Sequence, residues 1–196
     1  MKRGSLVLIV LLGLLLIGGC MTCNLQKTLV STDENVKSKW GEVQNQYQRR
    51  ADLIPNLVAT VKGAANFEQK TLTDVINARA KATSIQVNAD QLTPEKLREF
   101  QQAQGELSQA LGRLMVVSEA YPELKANQNF LALQDQLEGT ENRITVARKG
   151  YNEAVQEYNV TARQFPNNIF AGMLGFHPKG MFEADAGAQK APTVQF

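Results

Sequence analysis

The residues best suited to chemistry in this chain are few and far apart. Cys20 and Cys23 form a C-x-x-C pair, the spacing of thiol–disulfide exchange where a helix N-terminus on a βαβ frame lowers one thiol pKa. The residues before them are almost wholly apolar, so that frame is missing. The one histidine, His177, stands in a loop between Phe176 and Pro178. No Cys/His cluster has metal-ligand spacing, and neither a nucleophile elbow nor a Gly-rich phosphate loop occurs. The residues therefore predict no catalysis, no metal and no cofactor.

Charges on apolar stripes are the stronger signal. Arg49, Arg50 and Asp52 stand just before Pro55, in a stripe of Val36, Trp40, Val43, Tyr47, Ile54, Val58, Val61 and Ala65, with Glu68 beyond. Glu141 and Arg148 lie seven residues apart beside the apolar row of a later helix. Burying an unpaired ion costs several kcal/mol. Either Arg49 or Arg50 pairs with Glu141 in a partly buried network that fixes helix register, or all six charges flank the stripes in solvent. Tyr151-Asn152 recurs one heptad later as Tyr158-Asn159. The rings read as core, with a ligand or partner strip as the alternative.

Helices must position these groups. Glu, Gln, Ala, Leu, Lys and Arg dominate, and β-branched residues never form alternating runs. The stripe keeps its phase across Pro55, which predicts one helix kinked there; a hairpin broken at the proline is the rival. Thr93-Pro94-Glu95 reads as a helix start. The helix that follows carries Leu97, Phe100, Leu107, Leu111, Leu114 and Val117 on one face, interrupted by Gln104. Tyr121-Pro122 is a joint. The last helix, residues 127–163, has a seven-fold row of Phe130, Leu137, Ile144, Tyr151, Tyr158 and Phe165. Beside it runs a row with small residues at Thr140, Ala147 and Ala154. Such rows call for antiparallel packing at shallow angles. The expectation is an all-α, antiparallel up-and-down bundle of four helices, the first two counted as one if the kink holds. The bundle takes residues 24–183, after a leader (1–23) and before a flexible tail (184–196).

The leader gives the address. Lys2-Arg3 precedes an apolar run over residues 6–21, which as a helix is about 24 Å long, short of a hydrocarbon core of about 30 Å. Ile17-Gly18-Gly19-Cys20 matches the lipobox in which the cysteine receives lipid. A lipoprotein leader modified at Cys20 and an uncleaved membrane helix both place the body outside the cytoplasm. Without Lys2 and Arg3 the chain has 19 basic and 19 acidic residues. That balance gives no footprint for nucleic acid.

Several motifs together resemble the LemA family of bacterial membrane-associated proteins. They are Leu29-Val30-Ser-Thr-Asp33-Glu34 with Trp40, Gln48-Arg-Arg-Ala-Asp-Leu-Ile-Pro-Asn-Leu-Val58, Tyr121-Pro-Glu-Leu-Lys125, Leu137-Glu-Gly-Thr-Glu-Asn-Arg-Ile144, the two Tyr-Asn pairs, and Pro192-Thr-Val-Gln-Phe196. The resemblance implies a short membrane segment followed by a four-helix bundle, with no catalytic residues to carry over. Three functions stay open. The first is an envelope scaffold that binds other envelope proteins or itself. The second is a small-molecule or peptidoglycan-binding module with a pocket near Arg49, Glu68, Glu141 and Tyr151. The third, an accessory of membrane proteolysis, rests on the resemblance alone.

Overall fold

The computed structural model describes residues 3–63 and 67–183; within residues 3–25 it describes the backbone and the Leu12 side chain. Ala65, the thiols of Cys20 and Cys23 and the tail 184–196 lie outside the described residues. Everything regular is helical, with no strand among the described residues. The elements are α1 (Arg3–Lys62), α2 (Gln69–Ser84), a 3₁₀ turn (Ala89–Gln91), α3 (Pro94–Ser118), α4 (Pro122–Lys125), α5 (Gln128–Arg163) and α6 (Asn167–Met173). No helix among the described residues is long and apolar enough to cross a membrane.

Helix α1 passes through two places where the sequence offers an end. Thr32, of a residue type favoured at helix starts, instead turns its hydroxyl back to the carbonyls of Thr28 and Leu29, 3.1 Å from each; this is how a helix interior absorbs a threonine. At Pro55 the helix also continues. The ring removes the donor that would serve the Ala51 carbonyl, four residues back. That carbonyl, on a buried residue, accepts instead from Arg79 Nε of α2 at 2.8 Å. A tertiary hydrogen bond replaces the one that proline deletes.

The break comes later, at Gly63, and the chain re-enters helix at Gln69. The stripe expected to run on unbroken past Val61 therefore belongs to two helices. With Arg79→Ala the Ala51 carbonyl stays buried and unpaired, which is expected to cost about 1–2 kcal/mol. In a Pro55→Ala background the restored amide takes the carbonyl, and urea denaturation should show a smaller loss.

Other boundaries follow local chemistry. Thr93 caps α3, its hydroxyl accepting from the Lys96 amide, with Pro94 at the first helical position. The Asn127 side chain accepts from the amides of Asn129 and Phe130 and so opens α5.

The closest helix pairs are α1 with α5 and α2 with α3. Arg50 meets Glu141, Trp40 meets Tyr151, and Leu29 packs with Ala162. Equal steps in opposite directions make α1 and α5 antiparallel, in constant register. Thr140, Ala147 and Ala154 are buried and let the two helices approach closely. Phe165, expected as the last member of the seven-fold row, is instead 81% exposed. The helix has ended at Arg163, and Gln164 is already extended.

Two apolar clusters fill the interior. One gathers Trp40, Tyr47, Phe100, Ile144, Tyr151 and Phe182; the other gathers Ile54, Leu57, Leu72, Leu107, Leu114 and Leu137. Beyond α5 the chain folds back, and Ala171 of α6 and Phe176 close one end over Leu29 and Ala162.

Candidate functional site

Between the two clusters lies one polar layer. Each long helix crosses it between members of the two clusters: α1 at Arg50, between Tyr47 and Ile54; α3 at Gln104, between Phe100 and Leu107; α5 at Glu141, between Leu137 and Ile144. The Arg50 side chain is 2% exposed. Its Nη1 donates to Glu141 Oε2 at 2.7 Å and to Ser108 Oγ at 2.8 Å. Its Nη2 donates to Gln104 Oε1 at 2.6 Å and more loosely to the Gln104 carbonyl at 3.3 Å. The Gln104 amide in turn donates to the Ala82 carbonyl of α2. The guanidinium also lies 5.1 Å from the centre of the Tyr47 ring. One buried cation thus ties together four helices. Such a layer specifies which residues face each other more than it adds stability.

The six charges singled out from sequence divide cleanly. Arg50 and Glu141 meet. Arg49 is exposed on the outer side of α1, and Asp52 accepts from Gln48 on that surface. Glu68 precedes α2 and accepts from Thr71. Arg148 stands 4.9 Å over the Phe182 ring and donates to the Glu183 carbonyl. The network is therefore narrower than expected on one side, because helical spacing turns Arg49 and Asp52 away from Arg50. It is wider on the other: Gln104, visible in sequence only as a fault in a stripe, and Ser108 both join it.

The two Tyr-Asn pairs form a ladder. They hold the extended segment 177–183, which crosses α5 as a strap. Tyr151 Oη donates to the Gly180 carbonyl and Tyr158 Oη to the His177 carbonyl, each at 2.9 Å. Asn152 brackets Phe182 and Asn159 brackets Lys179, each amide bonding both the carbonyl and the N–H of its strap residue. Residues one heptad apart lie on one face of a helix, so the repeat matches a strap laid along that face. His177 serves the strap through its backbone.

Lys179 continues the tie to α1, 2.9 Å from Asp33, which also meets Lys37 at 3.1 Å. Burial would raise the Asp33 pKa, but the hydrogen bonds from Lys179 and Lys37 outweigh it and hold the carboxyl below its ordinary value. Burial pushes the Tyr151 phenol far above its usual range. Tyr158 is pushed up to about 12, by burial first and then by the Asp33 charge, with Lys37 opposing.

Both phenols ionise later in the folded chain than in the unfolded one. The stability they bring is whole below pH 10 and is lost as pH climbs from there through about 12. A chain with Tyr151→Phe and Tyr158→Phe is expected to show a flatter fall of melting temperature over that interval.

Several openings lie on the body. A groove of about 350 Å³ runs between α3 and α5, lined by Ser108, Leu111, Met115, Gln134, Glu138 and Glu141 with Arg50 at its floor. A second, of about 250 Å³, lies on the other side of Gln104, beside Tyr47 and Phe100. A third, of about 660 Å³, is open and mostly apolar in its lining, with Glu68, Lys70 and Asp74 facing Arg113 and Val116 of α3. Glu141 and Glu68 line different openings, and the strap covers the Tyr151 hydroxyl. Ligand sites usually enclose about 300–1,000 Å³ with convergent polar groups. Here the polar groups converge on one another. Among the described residues no group of His, Cys, Asp and Glu is placed to hold a metal ion.

The sequence model of the LemA family matches residues 39–196, the helical body through to the C-terminus. The chain belongs to the LemA family. Magnetosome protein MamQ 2 of Paramagnetospirillum magneticum is similar to it, 28% identical over 173 residues, covering 80% of this chain and 64% of that protein. Protein LemA of Metamycoplasma hominis is 24% identical over 160 residues, covering 81% and 69%. Magnetosome protein MamQ of Magnetospirillum gryphiswaldense is 26% identical over 195 residues, covering 90% and 72%. The chain thus spans somewhat under two thirds of the first of these relatives. The family's motifs now have physical places: the Arg-Arg-Ala-Asp stretch supplies the buried cation, and the Tyr-Asn pairs hold the strap.

Proposed function

We propose that the chain is a membrane-held scaffold of the bacterial envelope, which offers helix surface to other proteins and carries out no reaction. The observation that supports this best is how the polar groups are used. Arg50 is engaged by three neighbours, and the tyrosines and asparagines of α5 are committed to the strap. A catalytic or ligand-binding constellation needs groups that converge on an open position instead. In this reading the four long helices form an antiparallel up-and-down bundle. The leader holds it, through lipid on Cys20 or as an uncleaved helix, with the body on the extracytoplasmic side. Envelope proteins, further copies of the chain included, are the partners.

A small ligand in the groove between α3 and α5 is the second reading. One observation favours it: Arg50 Nε is buried with no hydrogen-bond partner among the described residues. Photocrosslinking in intact cells separates the two. Probes on exposed positions of α3 and α5 are expected to capture discrete protein partners in the membrane fraction. Recovery of the uncrosslinked chain in the soluble fraction would overturn the membrane-held scaffold.

A further inference from the structure

We infer that α6 is a lipid-docking element, whose outer face lies in the headgroup layer of the membrane that holds the leader. The inference rests on the membrane-held reading above and deepens it. The inner side of helix α6 is already engaged. It buries Ala171 against Leu29 and Ala162, and Asn167, which donates to the Thr161 carbonyl. Two residues of helix turn the face by about 200°, so Ile169 and Met173 point the other way, and Phe165 precedes the helix. Phe165 and Met173 are more than 80% exposed, and Ile169 and Leu174 about half. Bulky apolar side chains gathered in ten residues on the outside of a helix whose inside is already packed mark a contact made elsewhere.

Position and charge identify the occupant. The constant register of α1 and α5 sets Arg163, the last residue of α5, level with residue 28 of α1. The apolar leader run ends at Met21, about seven residues or 10 Å away along the helix. Both segments that meet at this end lack acid. No Asp or Glu occurs in residues 22–32 or 158–182, whereas Lys27 and Arg163 do, and Lys179 is already paired with Asp33. A second copy would bring the same cations and no acid to answer them. An anionic bilayer surface answers both the charge and the apolar face. A leader run short for the hydrocarbon core, or a single lipid on Cys20, gains from a second attachment.

The test uses the full chain in vesicles of phosphatidylethanolamine and phosphatidylglycerol, with p-benzoylphenylalanine replacing Met173, or Ile169 as a second variant. The control replaces Val116, exposed on α3 at the end away from the leader. All three chains are expected to float with the vesicles and to melt like the parent. On irradiation the α6 probes should give lipid adducts several-fold above the Val116 probe. Chains that float but give dimer adducts, or no more lipid adduct than the control, would overturn lipid docking while leaving the membrane-held reading in place. Chains that fail to float would overturn both.

Discussion

Phe182→Ala is expected to remove about 3–4 kcal/mol of stability, at the level of a large core residue, although residue 182 belongs to no helix. Its ring stacks 6.2 Å from Trp40 and meets Tyr151 edge-on at 5.4 Å, while Arg148 covers its outer face. Both of its backbone groups are held by Asn152. Removing the ring leaves a cavity in the cluster around Trp40 and weakens the reason for the strap to lie down. Trp40 is the only tryptophan, so its emission reports the event without a label: a shift to longer wavelength at temperatures where α1 and α5 remain helical. Gly180→Ala should reach the same loosened strap by another route. A Cβ there would stand 2.8 Å from Pro94 Cα, a contact only backbone movement relieves. A Phe182→Ala chain that denatures like the parent would mean that the strap is ornamental.

Glu141→Ala is expected to cost more than Arg50→Met, although the second deletes more hydrogen bonds. Without Glu141 the guanidinium stays buried among neutral acceptors, its charge uncompensated. Breaking a fully buried pair costs about 3–5 kcal/mol; the Glu141 side chain is 51% exposed, so a loss of about 2 kcal/mol follows from solvent screening of its outer side. In Arg50→Met the charge leaves together with its burial, and methionine fills much of the volume. What remains is the unanswered Gln104 oxygen, worth about 1 kcal/mol. Urea denaturation of the two variants orders them. The reverse order, or an unchanged Glu141→Ala chain, would show that the layer does not depend on a compensated charge.

The long helices could be read from sequence because their stripes are long and one start is explicit, as Thr93-Pro94 shows. At Pro55 the helix runs on, as the unbroken stripe implies: Arg79, 24 residues away, takes the carbonyl the proline orphans, and the break falls at Gly63. No one-dimensional signal pairs Arg79 with Ala51. The buried network was half legible. Arg50 and Glu141 could be proposed as partners because both sit beside apolar rows, yet Arg49 was equally eligible until helix rotation separated the two. Gln104 carried the clue, since a lone amide inside a row of Leu and Phe needs a buried partner. The strap was the least legible part. Its contacts go from side chains to backbone carbonyls, which have no sequence identity, so the repeated Tyr-Asn pair was visible and its object was not.

If the interior is filled by the fold's own contacts, function is left to the surface. Native mass spectrometry of the full chain, extracted from membranes in non-denaturing detergent, tests this most directly. The expected result is the mass of the polypeptide with at most its N-terminal modification, the same for the parent and for Arg50→Met. A small molecule retained in stoichiometric amount by the parent and lost from Arg50→Met would contradict the claim and place the function in the groove between α3 and α5.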